Sequence, residues 1–165
     1  MSLEGLKKVG WFFLLVILQV LVLNKVNLWG YATPFLYIYL VLKMGVAVPR
    51  YQILLTGFVL GLVIDCFTNT LGVNASATVL LAFCQPVFLK TYAPRDADET
   101  LVPSVSQMGI WPFVKFVLLC VTVHHTVLLL LEYFTFAGFL HTLLKIVGSV
   151  ALTVCLVLAV EKITD

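Results

Sequence analysis

Among the side chains that carry charge or proton-exchanging chemistry inside otherwise apolar stretches are Asp65, His124, His125, Glu132 and Lys145. Asp65 ends the run Gly57-Phe-Val-Leu-Gly61-Leu-Val-Ile-Asp65. Gly57, Gly61 and Asp65 recur every four residues, so a helix places all three on one face. Small residues at that spacing allow two helix backbones to approach closely in lipid. The face then either packs inside the protein, with Asp65 accepting hydrogen bonds from residues 68–74, or docks another protein or a ligand. His125 and Glu132 are nearly two helical turns apart and share a face, whereas His124 points about 100° away. Adjacent histidines on one helix do not converge on a metal ion, which leaves bonding between helices, or a proton-linked or ligand-binding role. Lys145 is expected to pair with Asp65 or Glu132, because an unpaired ammonium at that depth is costly.

These residues do not assemble into a recognisable catalytic pattern. The sequence has no Gly-rich phosphate loop, no Ser-x-x-Lys and no His-Glu-x-x-His, the spacings that would activate a phosphate, a serine or a zinc-bound water. Its four cysteines, Cys66, Cys84, Cys120 and Cys155, are scattered one per apolar stretch and are expected to pack as small apolar side chains. No enzymatic activity, metal or cofactor is expected.

The elements that must position these groups follow from composition. Of 165 residues, 62% are hydrophobic and 11% charged, against roughly a quarter charged in soluble domains. A helix crosses the hydrocarbon core with about 20 apolar residues. On that basis the sequence predicts an all-α integral membrane protein, a six-transmembrane-helix bundle forming one domain over 1–165. The expected spans are residues 9–23, 34–48, 51–67, 74–90, 112–134 and 141–160. Pro34 and Pro112 suit first helical turns; Pro49 ends the second span; Pro86 is expected to kink the fourth. Trp11, Trp29, Tyr31, Tyr51, Tyr92, Trp111 and Tyr133 fall near span ends, as an aromatic belt requires.

Eight of the ten basic residues, Lys7, Lys8, Lys43, Arg50, Lys90, Arg95, Lys115 and Lys162, lie on one side of this layout. The positive-inside rule puts that side, with both termini, in the cytoplasm. Lys7 and Lys8 precede the first apolar run, but no small-residue cleavage site follows it, so it is expected to stay as an anchor. The connection 91–110 is the longest; its first half is polar and reads as a solvated linker or a docking segment, and its second half is expected along the membrane surface. No basic block suggests nucleic acid.

Taken together, Gly57 to Asp65, the turn with Leu71-Gly72, Asn74-Ala75-Ser76-Ala77, Pro103-Ser104, Gly109-Ile-Trp111, His124-His125 and Leu131-Glu132-Tyr133-Phe134 give the chain a pattern that resembles the MreD family of bacterial rod-shape proteins. The resemblance covers essentially the whole chain. It implies a non-enzymatic scaffold of the bacterial cytoplasmic (inner) membrane that binds MreC. It also implies an assembly with RodA, a class B penicillin-binding transpeptidase and MreB that organises peptidoglycan synthesis and cell shape. The implied fold is similar to the substrate-binding subunits of energy-coupling-factor transporters, and such a vitamin-binding subunit is the alternative function. The matched positions Gly57, Gly61, Asp65, His124, His125 and Glu132 are implied to matter for packing or assembly.

Overall fold

Four apolar stretches become helices long enough to cross a bilayer, Arg50–Thr68, Val73–Tyr92, Ile110–Glu132 and Leu140–Thr164, in a computed structural model of the chain. The structure describes residues 3–28, 32–133 and 139–164, without the side chains of residues 3–9, 133 and 139. Trp29, Tyr31, Phe134 and the side chains of Lys7, Lys8 and Tyr133, on which parts of the orientation, the belt and the resemblance rest, lie outside the described residues. In order, the helices are α1 (Leu3–Leu21), α2 (Tyr39–Leu42), α3 (Arg50–Thr68), α4 (Val73–Tyr92), α5 (Val105–Met108), α6 (Ile110–Tyr133) and α7 (Phe139–Thr164). Among the described residues there is no strand, only an isolated bridge between Leu28 and Ala32. The protein is an all-helical membrane-type fold.

The third to sixth stretches run as the sequence predicts, each within a few residues of the expected limits. α3 and α4 form the tightest pair. α3 stops where Asn69 adopts a left-handed conformation (φ 56°), and Gly72 (φ 77°) sets the first residue of α4; few side chains accept that region, which suits Asn and Gly. The helices then cross with almost no space between backbones. A Cβ on Gly61 would stand 2.5 Å from the Ala75 Cα and 2.7 Å from its amide nitrogen. On Gly57 it would lie 3.0 Å from the Ala82 Cβ. The small-residue face of α3 is therefore filled by α4.

The second expected span is not one helix. Residues 26–28 and 32–35 are not helical, Leu36–Ile38 form a single 3₁₀ turn, and α2 adds one α-turn before the chain bends at residues 43–49. Pro34 sits in non-helical chain rather than in a first helical turn, and Pro49, expected to end the second span, is the N-cap residue of α3. Even so, the segment is the centre of the core: Tyr37, Ile38 and Val41 are fully buried and Leu42 nearly so. Its neighbours fix its course. Thr33, Phe35 and Tyr39 bond to Ser149, Thr153 and Glu161 in turn, so it runs parallel to α7 for about 18 Å at 1.5 Å per helical residue. Tyr37 and Met44 meet Asn74 and Gln85 of α4 in the same sense. Against α1 it runs antiparallel, with Leu36 on Gln19 and Tyr39 against Trp11.

The connection 91–110 divides as expected in its first half, where Arg95, Asp96, Asp98 and Glu99 are exposed. Its second half folds back into the bundle instead of lying along a surface. Leu101, Pro103, Ser104 and Met108 are buried, and the Leu101 carbonyl accepts a 3.0 Å hydrogen bond from the Val46 amide. Gly45 makes that approach feasible, since a Cβ there would overlap the same carbonyl.

Candidate functional site

Irregular backbone inside a bundle leaves amide and carbonyl groups without helical partners, and in lipid each must be satisfied by protein. Side chains from three helices do this for residues 33–44. Gln19 of α1 accepts from the Leu36 amide (2.8 Å) and donates to the Pro34 carbonyl (2.9 Å). On α7, Ser149 accepts from the Thr33 amide at 3.0 Å and Thr153 from the Phe35 amide at 3.1 Å. Gln85 of α4 donates to the Met44 carbonyl at 2.9 Å. All four side chains are fully buried.

Asp65 anchors a second set of bonds. One carboxylate oxygen accepts from the Asn74 amide (2.9 Å), the Asn74 side chain (3.0 Å) and the Thr70 hydroxyl (2.5 Å), and the other accepts from the Ala75 amide (2.9 Å). Seen from its own helix, an acid near the C-terminal end opposes the macrodipole. In three dimensions it caps the N-terminus of α4, where free amides and the positive end of the dipole favour an anion.

The proton directions then propagate. A carboxylate only accepts, so the Asn74 amide must turn its NH₂ to Asp65 and its oxygen to Tyr37. The Tyr37 hydroxyl donates to Asn74 Oδ1 at 3.2 Å, with Thr78 Oγ1 also at 3.2 Å. The Thr78 hydroxyl is committed to the Asn74 carbonyl at 2.7 Å. Tyr37 Oη therefore receives its 2.9 Å bond from His124 Nε2 as the donor. This fixes His124 as the Nε2–H tautomer and leaves a lone pair on Nδ1, which is buried without a partner among the described residues. His125 takes the opposite tautomer. Its Nδ1 meets the Val121 carbonyl at 2.9 Å and must donate, so in the neutral ring Nε2 accepts from the Thr153 hydroxyl at 3.1 Å.

The structure thus brings Asp65 and His124 into one chain of bonds through Asn74 and Tyr37, and places His125 in an adjoining one through Thr153. Gly57 and Gly61 sit at the α3–α4 crossing and admit the backbone that Asp65 caps. Glu132 does not join them: it is exposed near the end of α6, although it shares a helical face with His125. Lys145 is buried on α7, but the Asp65 oxygens are filled as described and Glu132 does not take up the ammonium. The ion pair found among the described residues is instead Lys43 with Glu161, 2.9 Å apart, with Glu161 also accepting from the Tyr39 hydroxyl at 2.7 Å.

Gln19, Tyr37, Thr78, Gln85, Ser149, Thr153 and the Lys43–Glu161 pair are the bonded polar groups of the bundle that sequence reasoning missed. One signal was available: Ser149, Thr153 and Glu161 are four and eight residues apart and form a polar stripe on α7. Chemically, the arrangement is a lattice of clamps whose proton positions are nearly all assigned. No protein-family model matches the chain, and no curated protein or solved structure matches it.

Proposed function

We propose that the chain is a non-enzymatic scaffold of the MreD kind, which binds MreC in the bacterial cytoplasmic membrane and helps to position the peptidoglycan-elongation machinery. One observation carries this reading. Asp65, Asn74, Tyr37, His124, His125 and Thr153 bond to one another and to backbone, so the polar groups stiffen a bundle instead of surrounding an opening. In this reading the chain crosses six times, its second pass being the irregular segment 34–48, whose course parallel to α4 and α7 and antiparallel to α1 supports that threading. Both termini are cytoplasmic.

The small-residue face of α3 is occupied internally, so a partner helix must dock on a lipid-facing side. On α7, Ala151, Cys155 and Ala159 are exposed and four residues apart, a spacing that lets a second helix approach closely. The test is site-specific photocrosslinking in native membranes from Ile17, Phe58 and Cys155, on three different outward faces, with mass-spectrometric identification of the adducts. Capture of MreC from one face and not the other two is the expected result. Failure to capture MreC from any face, together with recovery of the purified chain in stoichiometric complex with a vitamin-like molecule, would replace the reading with that of a transporter subunit.

A further inference from the structure

A cavity of about 690 Å³ opens at the end of the bundle where α3 begins and α7 finishes. That volume lies within the ~300–1,000 Å³ range of small-molecule sites. Trp11, Leu15, Leu40, Met44 and Val48 give it an apolar wall, and Lys43 stands at the same wall. We propose that this cavity holds one acyl chain of an anionic phospholipid, with the lipid phosphate on the Lys43 ammonium.

Three observations support this occupant. The wall is apolar and belongs to a bundle whose surrounding medium is lipid, so an acyl chain enters without leaving hydrocarbon. An ammonium carries three donors; Glu161 takes one, and the Lys43 side chain remains 26% exposed. Arg50 begins α3 and Lys162 lies in the last turn of α7, both exposed at this same end, and basic residues there favour an anionic leaflet. Glu161 orients Lys43 without covering it. The inference does not depend on which protein partner the chain binds.

Trp11 provides the probe, since it lines the cavity, whereas Trp111 is 72% exposed on the outside of α6. Two single-tryptophan forms of the full chain would be reconstituted with phosphatidylglycerol or phosphatidylcholine brominated on the acyl chains. One retains Trp11 (Trp29→Phe with Trp111→Phe) and the other retains Trp111 (Trp11→Phe with Trp29→Phe). Trp111 should be quenched equally by the two lipids. Trp11 should show about a fivefold preference for phosphatidylglycerol, the size expected from one lysine against an anionic headgroup. Thr56→Phe, which fills the cavity from α3, should abolish quenching of Trp11. Lys43→Gln with Glu161→Gln removes both charges and leaves neither buried alone; it should bring the preference to one while quenching persists. Equal quenching of Trp11 by both lipids, absence of quenching, or a preference unchanged in Thr56→Phe would each overturn the proposal.

Discussion

The α3–α4 hairpin and the segment 32–48 face the same difficulty and answer it in different ways. Both bury backbone groups where water is absent. The hairpin answers locally: Asp65 caps a helix that starts eight residues later, and Gly61 lets that helix lie directly against its own. The segment has only a short helical stretch, residues 36–42, and borrows further partners from Gln19, Gln85, Ser149 and Thr153, up to 118 positions away in sequence. Regular structure inside a membrane is thus a default that polar side chains on neighbouring helices can replace. The hairpin's stability resides in a few adjacent residues, whereas that of the segment is spread over the bundle.

The sharpest way to break this contrast is Gly61→Leu. Its side chain would collide with the Ala75 backbone, which has no rotamer to yield, so a loss of about 3 kcal/mol or more is expected, read by detergent-titrated unfolding. Asp65→Ala should cost about 2–3 kcal/mol, because the Asn74 and Ala75 amides are left buried without an acceptor. Amide exchange in that variant should rise in the first turn of α4 and stay low at Leu36.

Gln19→Leu, close in shape, should cost about 2 kcal/mol with the opposite footprint: faster exchange at Leu36 and its neighbours Thr33 and Phe35, and an unchanged α4. If both variants loosened the same amides, the separation between local and borrowed stabilisation would fail. Thr153→Val should cost about 0.6–1.7 kcal/mol, the range of single side-chain bonds in membrane bundles. Glu132→Gln, at an exposed position, should alter stability by less than about 0.5 kcal/mol.

The legibility of the sequence divides along the same line. Four long helices are readable because their apolar length, and the breaks between apolar stretches at Pro49 and at the turn with Leu71-Gly72, act over a few residues. Residues 34–48 have the composition of a span, and nothing in their local pattern separates helix from extended chain; the difference is made by Gln19, Ser149 and Thr153. Asp65 was legible as a residue needing a partner, and residues 68–74 were legible as the source of one, since the bond is short-range. The expected partner of Lys145 was wrong because matching depths along separate helices does not fix their rotation. Nothing in the sequence singles out Glu161 and Lys43, because each sits near a span end, where charge is ordinarily solvated.

The borrowed bonds of the segment also set an order of events during synthesis. A ribosome has made residues 33–35 long before Ser149 and Thr153 exist, by 116 and 118 positions. Until the last helix arrives, that stretch of backbone has no place in hydrocarbon, so it must wait in the translocon or at the interface and settle late. A nascent chain released before α7 should leave this region open to protease, although the α3–α4 hairpin would already be in place.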